Sequence, residues 1–299
     1  MSGEVEPELT GFVLLYKPVG PGSQTLLRGV KRLVHTRRVG HAGTLDPFAS
    51  GLLPVAIGKA TRLVDFIHSF PKTYEATLRF GIATDTEDLE GRITATDAIP
   101  LLTTAAVEAA LARYLGEQQQ QPPRYSAIRT RGKRSYERAR SGDPLEPSPR
   151  TIRIHALRLL ALDGESLRFE VQCSSGTYIR SLGRDIAMSL QTVGHLTALV
   201  RTAIGPLRLH QALTPDELES HAATLGIHAL ILPADVVLQD LHAVVLNAEE
   251  CALLRNGSLI AGDLAVPAGT KVRGYDAAGE LLGLLRRVES GLAPHLLLK

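Results

Sequence analysis

The sequence predicts an α+β fold: a mainly antiparallel mixed sheet flanked by helices, followed by a small β-barrel. Three observations lead there. Strand-like stretches succeed one another in hairpin fashion, with helices interspersed but no regular βαβ alternation. Helical patterns such as Leu26, Leu27, Val30, Leu33 and Val34 have the spacing of one buried face. From about residue 240, short apolar runs are split by Gly257, Gly262, Gly269, Gly274, Gly279 and Gly283, a texture of short strands and tight turns.

Taken in order, Phe12 to Tyr16 reads as a short buried strand ended by Lys17-Pro18. Ser23 is placed to cap the first helix, which carries Lys31 and Arg32, with Arg37 and Arg38 just beyond. A loop dense in glycine and proline comes next. Residues 74–80 alternate with period two, so Tyr74, Ala76, Leu78 and Phe80 share a face. The acidic turn Asp85 to Gly91 resembles a calcium loop, but Leu89 stands where an oxygen ligand is required, so it reads as a solvated turn. A helix is expected over 105–115, closed by Gly116. Strands are expected at 152–156 and 167–173, then a helix with Ile179, Leu182, Ile186 and Leu190 on one face, then a strand at 196–201. The stretch 214–236 reads as a helical connection.

Composition narrows the class of protein. At 299 residues, with 44% hydrophobic and 21% charged residues, the chain is ordinary globular material for one large domain and one small one. The expected division is 1–237 and 238–299. Two distant cysteines, Cys173 and Cys251, argue against a disulfide framework or a thiolate zinc site. The ten scattered histidines show no metal spacing. The acidic N-terminus (Glu4, Glu6, Glu8) does not resemble a signal peptide, and no apolar run approaches a membrane span. A cytoplasmic protein is expected, without membrane, metal or cofactor.

The formal net charge is only +2, so the distribution of charge matters more than its sum. Arg124, Arg129, Arg131, Lys133, Arg134, Arg138 and Arg140 face Glu137 alone. That density behind Pro122-Pro123 is better explained by phosphate contact than by a solvated charged face. A protruding segment that contacts phosphate is expected over about 117–150, partly helical around Ser135 to Arg140.

The most informative stretch is Gly40-His41-Ala42-Gly43-Thr44-Leu45-Asp46-Pro47-Phe48-Ala49-Ser50-Gly51-Leu52-Leu53-Pro54, continuing to Gly58-Lys59-Ala60-Thr61-Arg62. Pro47 biases Asp46 toward an extended conformation, and the glycines permit close backbone approach. From the residues alone Asp46 is either a turn aspartate or a carboxylate fixed for chemistry. Arg180 lies in the first turn of a predicted helix, where the macrodipole disfavours a cation unless a carboxylate or phosphate faces it.

This stretch closely resembles the signature of the bacterial tRNA pseudouridine-55 synthases, the TruB family. Lys72-Thr73-Tyr74, Gly176-Thr177-Tyr178-Ile179-Arg180 and Pro122-Pro123-Arg124-Tyr125 resemble further motifs of that family. The resemblance implies that Asp46 is the catalytic nucleophile and that Arg180 pairs with it and keeps it ionised. It implies that Tyr74 lies against the target base. Stacking is worth roughly 1–3 kcal/mol, enough to offset much of the cost of unstacking a nucleotide. By the same resemblance Tyr178 and Leu199 line the site, and His41 helps hold RNA with its target nucleotide flipped out. Lys17 belongs to a motif that supports the site wall; Tyr16 replaces the family's usual aspartate before it. Lys17, Arg124, Tyr125, Lys133 and Arg134 join the substrate-binding set. The family commonly has two arginines after the leucine, whereas Val200 leaves only Arg201 here. The resemblance also implies that the segment over about 117–150 is an RNA-binding insertion. The last 60 or so residues loosely resemble a PUA-type RNA-binding barrel.

The expected activity is isomerisation of uridine 55 in the TΨC loop of tRNA, guide-independent and cofactor-free. Asp46 would attack the sugar or remove a sugar proton. The partner is tRNA, gripped at T-arm and elbow by a monomer with no obligate protein partner. A non-catalytic RNA-folding protein and a guide-dependent synthase within a ribonucleoprotein are the alternatives.

Overall fold

The computed structural model describes residues 8–125, 129–130, 133–134, 148–262 and 265–298. The nine-stranded main sheet is built from β1 (Gly11–Lys17), β2 (Val39–His41), β3 (Ser50–Ile57), β4 (Lys72–Phe80), β7 (Gly116–Gln120), β10 (Arg150–Leu162), β11 (Ser166–Cys173), β12 (Gly194–Ile204) and β13 (Leu207–Arg208). Its order is β1-β3-β12-β4-β11-β10-β7, with β2 on β3 and β13 on β12. The β3–β12 pairing is parallel and the rest are antiparallel. β5 (Ile82–Thr84) and β6 (Ile93–Thr96) form a separate hairpin that carries the acidic turn. A two-residue pairing, β8 (Arg129–Thr130) with β9 (Lys133–Arg134), lies within the basic segment. The expected helicity around 135–140 lies outside the described residues.

Both faces of β1 and β3 are covered, which is why their sequences are continuously apolar rather than alternating. Phe12, Leu14 and Leu52 pack with Leu63 and Ile67, the latter from α2 (Val64–His68). Val13, Leu15, Leu53 and Val55 pack with Leu27, Val30 and Val34 of α1 (Ser23–Val34). Farther along the sheet, Ala76, Leu78 and Phe80 of β4 share a core with Phe169 of β11, with α3 (Thr104–Ala112) and with α4 (Ile179–Ser189). Each fully buried large apolar side chain here contributes about 1.5–3 kcal/mol.

Several elements differ from the sequence expectation. Ser23 does not cap α1; Gly22 occupies that position without a side-chain cap. The Ser23 hydroxyl instead accepts from the Leu45 N–H at 3.1 Å, tying the helix to the Asp46 loop. α3 stops at Ala112, and Gly116, at φ +93°, opens β7. Residues 117–120 thus belong to the main sheet, paired with β10, and the chain leaves that sheet only after Gln120. The connection beyond 213 contains α5 (Pro215–Leu225) and returns along β1, where Phe12 and Leu232 exchange backbone hydrogen bonds of 2.9 and 2.8 Å.

The C-terminal part is a five-stranded sheet in the order β14 (Ala243–Val245), β16 (Lys271–Tyr275), β17 (Leu281–Val288), β18 (Gly291–Leu297), β15 (Ile260–Ala261), with α6 (Ala248–Arg255) beside it. The pairings form an open path among the described residues rather than a closed ring. This sheet is joined to the larger body. Leu284 lies in the core beneath β1 and β3, Arg62 Nη1 donates to the Leu297 carbonyl at 2.6 Å, and the Tyr275 hydroxyl donates to Asp235 at 2.7 Å.

Gly51 shows how tightly β3 and β12 approach. It has φ +111°, and a Cβ there would lie 2.4 Å from the Arg201 carbonyl oxygen and 2.6 Å from its nitrogen. Both atoms are backbone and cannot swing away. Gly51→Ala is expected to destabilise the fold by about 3 kcal/mol or more, read by urea denaturation.

Candidate active site

Asp46 lies in the loop between β2 and β3. The loop is fixed from beneath by buried cations. Lys17, fully buried, donates to the carbonyls of Ala49 at 2.6 Å, Pro18 at 3.0 Å and Pro47 at 3.2 Å. Burial pulls the Lys17 ammonium below its ordinary value, while the Asp46 carboxylate works in the opposite direction. Lys17 therefore supports the loop and is not available to a substrate, which corrects its assignment as a binding residue. Its three donors are spent on backbone carbonyls.

Arg201 does the same work from β12. It is 2% exposed, and it donates through Nε to Leu52 at 2.9 Å and through Nη2 to Gly43 at 3.0 Å. Gly43, at φ +104°, leaves room for it: a Cβ would lie 3.3 Å from Nη1. The guanidinium also hydrogen-bonds the Tyr74 phenol. So the lone arginine after Val200 has a structural role under the site. Burial pushes the Tyr74 phenol up, with Arg201 opposing, which favours the neutral hydroxyl.

Arg180 is the hub of the site. Its side chain is 6% exposed, in the first turn of α4. Nε meets Asp46 Oδ2 at 2.9 Å, and Nη1 lies 3.3 Å from Asp88 Oδ2. Nη1 also donates to the Thr86 carbonyl at 2.7 Å, and Nη2 to the Tyr125 carbonyl at 3.0 Å. The partner that the helix macrodipole demanded is therefore Asp46, with Asp88 beside it. The Asp46 side chain remains 40% exposed, against 5% for Asp88. Asp46 is thus the carboxylate of this group open to an incoming molecule.

Asp88 is the residue that sequence reasoning missed. The acidic turn read as solvated, yet Asp88 is buried and Glu87 nearly so, because Arg180 and Arg184 lie against them. Asp88 accepts from the Thr86 hydroxyl and, at 3.1 Å, from the Glu90 N–H. Burial pushes its carboxyl up, while Thr86 and Arg180 oppose the shift. The signal that existed was the crowding of three acids within four residues, Glu87, Asp88 and Glu90, in a chain with an arginine at one helix start, Arg180.

The other expected residues surround this cluster at varying distance. Tyr178 is the N-cap residue of α4; its backbone N–H and carbonyl are both held by the Gln120 side chain, at 2.9 and 3.0 Å. The Arg150 guanidinium lies 5.5 Å from its ring centroid. Leu199 is buried and packs in the same core as Leu45 and Phe48. His41 Nε2 lies 3.1 Å from Gln24 Nε2, and burial and Arg201 hold its ring below the ordinary histidine range. Arg124 and Tyr125 border a cavity with Glu87 and Arg184. Lys133 and Arg134 lie on β9, away from the regular sheet. Among the described residues, no group of three or more His, Cys, Asp or Glu gathers as a metal site. No helix among them is long and apolar enough to cross a membrane.

The fold is found in solved structures. It matches a chain of an H/ACA ribonucleoprotein bound to a substrate RNA containing 2′-deoxyuridine, with TM-score 0.73 and 22% identity, over 97% of this chain and 85% of that one. It matches an archaeal box H/ACA complex with TM-score 0.71, over 97% and 86% of the two chains. The profile of the TruB family pseudouridylate synthase N-terminal domain covers residues 31–179, from within α1 to the edge of the Arg180 turn. The profile, with the relatives that follow, defines a pseudouridine synthase, an isomerase. Proteins named tRNA pseudouridine synthase B from Burkholderia mallei and Hydrogenovibrio crunogenus are 43% and 41% identical to this chain, over 96% and 93% of its length and 96% and 89% of theirs. The chain belongs to the TruB family.

Two outcomes test this geometry. Arg180→Lys keeps a charge but loses the fork that serves Asp46, Asp88 and two carbonyls. It should lower stability by about 3 kcal/mol, measured by denaturant titration, because a buried carboxylate loses its pairing. Lys72, whose ammonium donates to the His68 and Phe70 carbonyls at 2.6 and 2.7 Å, is held by burial at a pKa of about 8. Below that value both folded and unfolded chains carry the proton and the cost of burial is present in full. Between about 8 and the ordinary lysine value of 10.5, the unfolded chain keeps a proton that the folded one releases, so folding is favoured as pH rises. Relative to Lys72→Met, the wild-type protein should gain about 2 kcal/mol of stability between about pH 7 and about pH 10.

Proposed function

We propose that this chain converts uridine 55 in the TΨC loop of tRNA to pseudouridine, without a guide RNA, using Asp46 as the nucleophile. The observation that carries the reading is the exposure pattern of the Arg180 cluster: Asp46 opens to solvent while its counter-ion and Asp88 are buried. Such a carboxylate is paired and aimed, yet reachable. The relatives named tRNA pseudouridine synthase B support the choice of tRNA as substrate.

The reaction breaks the N1–C1′ bond, turns the base, and joins C5 to C1′; N1 gains a proton and C5 loses one. Target C1′ is hidden in a folded loop, so the nucleotide is flipped into the cleft. Asp46 attacks C1′ of the flipped nucleotide as the N1–C1′ bond breaks, and its carboxylate leaves again when C5 joins C1′. Arg180 holds Asp46 in line by a charge-assisted hydrogen bond. Tyr74, half-buried and hydrogen-bonded to Arg201, stacks on the base, and its hydroxyl assists removal of the C5 proton. Tyr178, His41 and Leu199 form the rest of the pocket. The basic segment beyond Pro123 and the C-terminal sheet, read as a PUA-like module, grip the T-arm and elbow, with the protein acting as a monomer. No step calls on a metal or cofactor.

The test uses purified protein, an unmodified tRNA transcript and no added guide RNA, with product mapped by carbodiimide primer extension. Wild type should modify the T-loop uridine, and Asp46→Asn should lose at least about 10³-fold in rate while still binding tRNA. A folded, RNA-binding wild-type protein that makes no product would favour a guide-dependent or RNA-folding role.

A further inference from the structure

Glu87 has an unusual backbone for its residue type. Its φ of +62° lies in the left-handed region, where a residue other than glycine is held at a cost of about 1 kcal/mol or more. Its carbonyl accepts from the Leu196 N–H at 3.0 Å, and its own N–H donates to the Thr84 carbonyl at 3.2 Å. Its side chain, 12% exposed, turns to α4, where it accepts from the Ser181 hydroxyl at 2.9 Å and pairs with Arg184. Arg184 is fastened in turn to Asp185 at 2.8 Å and to the Gln121 carbonyl at 3.2 Å.

The neighbours of Glu87 give this anchorage a second consequence. On one side, the Thr86 carbonyl accepts from Arg180 Nη1. On the other, the Asp88 carboxylate faces the same nitrogen. Residue 87 therefore sits between the two acceptors that the turn offers to Arg180, and its conformation aims both of them. Arg180 and Arg184 are four residues apart, on one face of α4. The helix is thus clamped to the turn twice, once through Glu87 and once through Asp88. Rotation of the turn about residue 87 would carry Thr86 and Asp88 away from Arg180, leaving its guanidinium free to drift from Asp46.

We infer that Glu87, anchored by Ser181 and Arg184, is a positioning residue for the Asp46–Arg180 pair. The inference rests on the reading of Asp46 as the reacting carboxylate. Glu87 touches neither Asp46 nor the nucleotide; it acts on the rate through the placement of Arg180.

The experiment compares Glu87→Gly, Glu87→Ala and Glu87→Gln with wild type on a tRNA transcript. It records the single-turnover rate at saturating enzyme, the KM for tRNA, and thermal unfolding. Glycine accepts the left-handed backbone without strain, so Glu87→Gly removes the anchor while relieving the local conformation. The expected result is a single-turnover rate lower by about 10- to 100-fold in the Gly and Ala variants, with KM within about twofold of wild type. Glutamine can accept from Arg184 through Oε1 and donate through Nε2 to the Ser181 hydroxyl oxygen, so Glu87→Gln should restore the rate to within about threefold of wild type. Gly and Ala variants that turn over at the wild-type rate, whatever their melting temperature, would overturn the inference. So would a rise in KM alone, which would make Glu87 an RNA contact, or a Gln variant as slow as the Gly variant. An inactive wild-type protein would instead count against the proposed function itself.

Discussion

A guanidinium buried to 6% exposure must be surrounded by acceptors, and the acceptors around Arg180 come from three separate stretches of the chain. Asp46 belongs to the loop before β3, Thr86 and Asp88 to the turn between β5 and β6, and Tyr125 to the segment leaving β7. None of these segments is a neighbour of α4 in sequence. The cation assembles them because each left alone would carry an unpaired charge or carbonyl into a partly dry site. Two anionic partners also offset the unfavourable placement of a cation at a helix start.

The same device is repeated beneath the cleft. Lys17 from β1 and Arg201 from β12 are both buried, and both spend their protons on backbone carbonyls of the Asp46 loop or of β3. Lys72, at the start of β4, ties down the turn before it in the same way. A loop rich in glycine has many conformations to lose; several charge-assisted hydrogen bonds to its carbonyls select one. Ser23 adds a fastening from α1. The glycines themselves are needed because these cations and the β12 backbone come so close. At Gly51 there is no room for a side chain, and at Gly43 the space is taken by Arg201.

The result is a separation of tasks within one ionic cluster. Asp88 is buried, and Glu87 and Arg184 are largely covered and structural in their contacts, whereas Asp46 alone among the carboxylates paired with Arg180 is open enough to meet a nucleotide. The pairing keeps Asp46 from behaving as a solvated turn aspartate. Its partial exposure keeps it from being a mere internal ion-pair member.

Much of this was legible in the residues. Period-two alternation at 74–80 and the absence of βαβ repeats pointed to the antiparallel sheet, and the long Gly-Pro stretch around Asp46 pointed to the family. An arginine in the first turn of a helix announced that a carboxylate or phosphate would face it. What local pattern could not supply was which side chains become buried by distant partners. The acidic turn looked solvated because burial of Asp88 depends on Arg180, almost a hundred residues later. The family resemblance placed Lys17 both in the wall of the site and among the substrate contacts; only the docking of β1 against β3 reveals the carbonyls that consume its protons. Ser23 looked like a cap because its hydroxyl was beside a helix start, yet Leu45 lay nearer to hand. Sequence alone determined the elements and the candidate carboxylate, since these come from short-range periodicity and a contiguous motif. The tertiary structure decided the electrostatics, because the cost of burying a charge is set by whatever the fold brings opposite it.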